Sequence, residues 1–179
     1  MTETATKYGG SLYELAAEEK QTDRVLEELG TILTLFRENP DYLRLLTEPS
    51  LTVEVRNGLL QEAFGAEIWP YLLNFLKLLC EKGYMGELKG CAREFRSRYN
   101  ADHGIAEATV TTAMPLSDSQ KTALKKKLEE MSGKQVDLTV YENPALIGGL
   151  RLDMEGKRYD GTASERLHAI GSIIKNTVV

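Results

Sequence analysis

The chain has 179 residues, 42% of them hydrophobic and 27% charged, with a net charge of −5. That suits one ordinary globular domain or two small ones, and the acidic balance argues against a protein built to hold phosphate backbones. No run of about 18 apolar residues is present to cross a bilayer, and Met1–Ala5 lacks a secretion-signal pattern, so the chain is expected in the cytoplasm, meeting a membrane only through a partner.

Up to Gly104 the sequence reads as helix after helix. The first is predicted over 5–20, with Tyr8, Leu12, Leu15 and Ala16 in one stripe and Gly9, Tyr13 and Ala17 beside it. Thr22-Asp23 can cap a second, in which Val25, Leu26, Leu29, Ile32, Leu33 and Phe36 recur at helical spacing. Asn39-Pro40 places a cap before a proline at the first helical position of a short third helix, which ends before Pro49. A fourth is predicted over 52–64, with Val55, Leu59, Leu60 and Ala63 inward and Gly65 as its stop. The fifth covers 68–81. The sixth covers 86–100, with Leu88, Cys91, Ala92, Phe95 and Tyr99 on one side. Short connections between such helices favour a compact six-helix bundle over residues 1–104.

After Gly104 the period changes. Ala106, Ala108, Val110 and Thr112 alternate with their neighbours as in a strand. Ser117 and Gln120 have capping-box spacing, and the helix behind them turns Leu124, Leu128 and Met131 inward and stops at Gly133. Val136, Leu138 and Val140 alternate as a second strand. Leu146–Met154 then reads as a strand around Gly148-Gly149, a glycine pair that gives up packing surface where another backbone approaches or a bulge is needed. Glu155-Gly156 supplies a turn, 157–159 a return strand, and Thr162 with Glu165 a capping box for a last helix. Residues 105–179 thus make a small α/β domain with a short mixed sheet, and the whole chain is α+β. A unit this small leans on a partner or on the first domain. The charge divides unevenly: residues 1–104 hold 12 Lys and Arg against 17 Asp and Glu, and residues 105–179 hold 10 against 10. The excess of acid lies wholly in the helical half, which suits a basic or amphipathic partner helix.

Nothing in the sequence assembles chemistry. Cys80 and Cys91 fall within apolar helical patterns and read as core thiols, and His103 and His168 have no metal-ligand spacing. Phosphate-loop, dinucleotide, nucleophile-elbow and zinc-protease motifs are all missing. No enzyme, cofactor or metal is expected. The Lys125–Lys127 run is followed directly by Glu129 and Glu130 and reads as a solvated face. The fifth helix is the feature that asks for an occupant. Ile68, Trp69, Leu72, Leu73, Phe75, Leu76, Leu78 and Leu79 cover nearly its full circumference. Either it is the central helix of the bundle, or one side lines a groove, with the first helix beside it, for a partner's amphipathic helix.

The order of these features resembles the delta subunit family of F-type ATP synthases, also called the oligomycin sensitivity-conferring protein family. The likeness runs from Tyr8-Gly9-Gly10-Ser11-Leu12-Tyr13-Glu14-Leu15-Ala16 through Asn39-Pro40 and Leu78–Gly83. It is most specific in Val136–Val140, Leu146–Leu152, Asp160-Gly161-Thr162 and Arg166-Leu167. Where members often carry Ser, an apolar residue, Arg and Gly after Asp-Gly, this chain has Thr162, Ala163, Ser164 and Glu165, so the basic residue there is lost and Arg166 is the next one. The resemblance implies a non-catalytic connector in the stator, or peripheral stalk, of the proton-translocating enzyme, at the cytoplasmic face of the bacterial membrane. It implies that the first and fifth helices hold the N-terminal helix of an alpha subunit, here at Tyr8, Ser11, Leu12 and Leu15 facing Tyr71, Leu72, Phe75 and Leu78. The second domain would grip the C-terminal helices of the b subunits, with Gly148, Gly149, Asp160, Gly161 and Arg166 as the family's signature positions. The competing reading is an RNA-associated helical bundle, which the acidic first half disfavours; a carboxylate-pair enzyme is a third and has no motif behind it.

Overall fold

The computed structural model describes residues 2–144, 146 and 150–160, and the side chain of Asp160 is not among those described. Gly148, Gly149, Gly161, Arg166 and the expected last helix with its Thr162–Glu165 cap therefore lie outside the described residues. The chain divides into two compact units, one up to Tyr99 and one from Asn100 onward. Each has its own hydrophobic core. Among the described residues the fold is mixed α+β, with seven α-helices and one four-stranded sheet.

The helices before the sheet are α1 (Glu3–Glu18), α2 (Thr22–Glu38), α3 (Pro40–Thr47), α4 (Val53–Phe64), α5 (Pro70–Glu81) and α6 (Leu88–Asp102). Their ends depart from the sequence reading for local reasons. The Thr2 hydroxyl accepts from the Ala5 amide at 3.1 Å, so α1 starts two residues earlier than expected. Thr22 and Asp23 lie inside the first turn of α2 rather than capping it. The preceding turn is closed by backbone alone: Lys20 adopts φ +54° and the Gln21 amide donates to the Ala16 carbonyl at 2.8 Å. Asn39 precedes Pro40 as expected, but its amide turns back to the Leu35 carbonyl at 3.0 Å and satisfies the end of α2 instead of the start of α3. In α4, Val55 and Ala63 are exposed; Leu60 and Phe64 face inward. Gly65 stays right-handed at φ −60°, so no left-handed stop operates there. The core draws on every one of these helices, from Leu12 and Ala16 through Val25, Ile32, Leu46, Leu60, Leu76 and Leu79 to Phe95.

In the second unit the strands are β1 (Ile105–Thr112), β2 (Gln135–Glu142), β3 (Leu150–Met154) and β4 (Lys157–Asp160), with α7 (Asp118–Ser132) between the first two. The strand order is β2-β1-β3-β4. β1 and β2 run parallel, as the α7 crossover requires, and the other two pairings are antiparallel. Both halves of the Ser117–Gln120 capping box form, and Gly133 ends α7 in the left-handed region at φ +68°. Alternation places Ala106, Ala108, Val110, Leu150, Leu152 and Met154 on one face with Leu124 and Leu128 of α7. Met131, expected inward, is half exposed in the last turn of α7. Leu138 and Val140 are only partly buried, because β2 is an edge strand of the sheet. Glu155 and Gly156, both at positive φ, make the tight β3–β4 turn.

An apolar groove between α1 and α5

The groove begins with how α1 is seated. A Cβ on Gly9 would overlap the Cys91 carbonyl oxygen and lie 2.9 Å from Cβ of Glu94; one on Gly90 would lie 2.7 Å from Cβ of Ala5. Only small residues allow α1 and α6 to pack this closely. The Arg98 side chain then crosses over Gly10, where a Cβ would fall 2.5 Å from its Nη2, and donates to Glu94 at 2.9 Å and to Glu14 at 2.8 Å. Those two bonds raise the guanidinium's pKa further above its ordinary value. Tyr13 packs edge-on to Phe95 with ring centroids 5.2 Å apart, on the same side as Gly9.

With that face of α1 fixed, its next face is turned away from α6. Tyr8, Ser11, Leu12 and Leu15 follow the i, i+3, i+4, i+7 rule for a single helical stripe. On α5 the set Tyr71, Asn74, Phe75 and Leu78 obeys the same rule. The two stripes, with Lys7, line one cleft of about 450 Å³. Leu12 and Phe75 form its floor, at 3% and 8% exposure, while Tyr71 and Leu78 stand at its edges at 47% and 39%. The Tyr8 ring meets Tyr84 edge-on at 5.7 Å, and Tyr71 lies 4.9 Å from the Trp69 ring. Tyr84 follows the C-terminal end of α5, so the Tyr8 end of the cleft is the end of α5 and the Tyr71 end is its start.

Seven of the eight residues expected at this place thus come together. Leu72 does not. It is fully buried in the bundle core with Leu76 and Leu79 and is not a lining residue. The reason is angular: Leu72 is one position, about 100°, from Tyr71, which carries it off the 71–74–75–78 stripe. Lys7 and Asn74 were missed. Each sits one helical turn from an expected lining residue, Ser11 and Leu78, and helical spacing alone would have extended the two stripes to them. Near-total apolarity of α5 therefore serves both readings at once: Leu72, Leu73, Leu76, Leu79 and Cys80 pack inward, and Tyr71, Phe75 and Leu78 face the cleft.

Among the described residues no group of three or more His, Cys, Asp and Glu is placed to hold a metal ion, and no helix is long and apolar enough to cross a membrane. Burial pushes the Cys91 thiol up to about 11, with the nearby Glu87 charge adding to it, and also raises Cys80, whose Sγ donates to the Leu46 carbonyl at 3.4 Å. Both thiols are thus protonated core residues.

Comparison with known proteins agrees with this architecture. The family described as ATP synthase delta (OSCP) subunit matches residues 4–174. The chain is 34% identical to the ATP synthase subunit delta of Shouchella clausii over 165 residues, 91% of each protein. It is also 34% identical to that of a Geobacillus species over 93% of each, and 30% identical to that of a Prochlorococcus marinus strain over 96% of each. A chain in the cryo-EM structure of the Toxoplasma gondii mitochondrial ATP synthase hexamer shares the fold at TM-score 0.72 and 19% identity, over 96% of this chain and 97% of that one. These likenesses give no support to an RNA-associated bundle. Matched along almost its whole length, the chain belongs to the ATP synthase delta (OSCP) subunit family.

Proposed function

We propose that this chain is the connector between the catalytic head and the peripheral stalk of a bacterial ATP synthase. Membership of the family makes it a non-catalytic component of that stalk. In this reading residues 1–104 act as one six-helix bundle that receives the N-terminal amphipathic helix of an alpha subunit in the α1–α5 cleft. Residues 105–179 grip the C-terminal helices of the b subunits. The complex sits at the cytoplasmic face of the cell membrane, and the chain reaches the membrane only through it.

The observation that carries the reading is the open cleft itself. Two antiparallel helices each turn one largely apolar stripe toward the same open cleft of about 450 Å³, the kind of surface that takes the apolar face of a third helix. Rotation of the central shaft puts torque on the catalytic head, and the stalk must hold that head still. A grip of micromolar strength resists dissociation by about 8 kcal/mol and one of nanomolar strength by about 12. A preformed groove reaches that range because little has to be ordered on binding.

The test uses a peptide copying the first twenty or so residues of the same organism's alpha subunit, titrated calorimetrically into the full chain. Saturable one-to-one binding, lost in Tyr71→Asp or Leu78→Asp, is expected. In membranes carrying the reassembled synthase, these variants should uncouple proton flow from ATP synthesis while the detached head still hydrolyses ATP. Normal proton-driven synthesis in both variants would refute the assignment.

A further inference from the structure

We infer that Lys7 sets the register of the docked helix by pairing with one carboxylate upon it. The inference rests on the groove reading and adds to it the chemistry of the occupant. Of the nine side chains lining the cleft, Lys7 alone is charged. It is exposed, and among the described residues it forms no ion pair: Glu3, one turn before it on α1, is not joined to it, and Glu14, two turns after it, is held by Arg98 at 2.8 Å. A cation with no ion pair among the described residues thus stands at the lip of a surface otherwise built of Tyr, Leu, Phe, Ser and Asn.

Charge on the larger scale runs the other way. Residues 1–104 carry five more acids than bases, so a helix rich in carboxylates is repelled on approach. A helix with basic residues all along it is attracted at long range but sets a like charge against Lys7 once seated, which costs affinity. The occupant that satisfies both is an amphipathic helix with an apolar stripe, a polar face neutral or basic overall, and a single carboxylate at the Tyr8–Tyr84 end of the cleft. Apolar stripes alone leave a helix free to slide by one turn. A point charge at one end of the groove removes that freedom.

The experiment is a double-mutant cycle on the full chain, with the alpha-subunit peptide as probe. Each acidic residue of the peptide is changed in turn to its amide and titrated against wild type, Lys7→Gln and Lys7→Glu at low and moderate salt. Lys7→Gln should weaken binding by about threefold at low salt, as for a partly exposed ion pair, and Lys7→Glu by more. One amide substitution should cost wild type the same factor and cost Lys7→Gln nothing. Thermal melts establish that the variants fold. If Lys7→Glu binds as tightly as wild type, or if no peptide carboxylate couples to Lys7, the register role is overturned while the groove stands. If the unaltered peptide does not bind wild type at all, the groove reading falls and this one with it.

Discussion

Leu12 and Phe75 differ from Tyr71 and Leu78 in what their replacement tests. The first two belong to the bundle core as well as to the cleft floor, at 3% and 8% exposure. A charge there is buried without a partner, so Leu12→Asp and Phe75→Asp are expected to unfold the first unit, and even Leu12→Ala should cost about 2–5 kcal/mol. Tyr71 and Leu78 are largely free of the core. Leu78→Asp should therefore weaken peptide binding by about tenfold or more, some 1.4 kcal/mol, with little change in melting temperature. The two cysteines supply a different residue-scale expectation. Neither thiol should react with a disulfide reagent at pH 8 in the folded chain, and both should react once it is unfolded. Because the folded Cys91 thiol holds its proton up to about 11, above the ordinary value of about 8.5, its contribution to stability is intact below that ordinary value. It is lost as pH rises toward 11. Cys91→Ala should flatten that part of an alkaline stability profile.

At the scale of elements, α1 has its position dictated by what it lacks. Gly9 meets the α6 backbone so closely that a methyl group cannot enter without moving one helix. Gly9→Ala is expected to cost about 1–3 kcal/mol, the usual range for overpacking, seen as a lower denaturation midpoint. Since the shift carries Tyr8, Ser11, Leu12 and Leu15 with it, peptide affinity should fall in a variant that remains folded. Gly30 and Gly58, with open space around them, make controls: alanine there should be neutral or slightly stabilising. The helices themselves were legible from period and punctuation. Pro40, Ser117, Gly133 and Gly156 act as their residue types dictate. Cap details were less legible, because a polar side chain between two helices can serve either. Asn39 closes the helix before it, and no local pattern distinguishes that choice from the reverse. Inward and outward faces went wrong where the neighbour was tertiary: Val55 and Met131 keep a core-like spacing and stay exposed because nothing packs over them.

On the scale of the whole molecule, the two units carry separate cores and separate grammars. A fragment of residues 1–104 is expected to melt as one cooperative helical transition and to bind the alpha-subunit peptide with the affinity of the full chain, checked by circular dichroism and calorimetry. Loss of binding in a folded fragment would mean that the second unit contributes to the grip. The groove was legible as a surplus of apolar side chains on the first and fifth helices. What the sequence could not separate was surplus that faces the core from surplus that faces outward: Leu72 and Leu78 look alike until the bundle assigns each a side. Nor does net charge report on a site. The first unit is acidic as a body, yet the groove's own charged group is a lysine.

The chain has a single tryptophan, and Trp69 is 6% exposed with its ring 4.9 Å from that of Tyr71 at the cleft edge. A helix settling onto Tyr71 would alter the surroundings of that indole, so the protein carries its own optical probe. Its ultraviolet emission should change in proportion to the fraction of grooves filled, without any dye being attached.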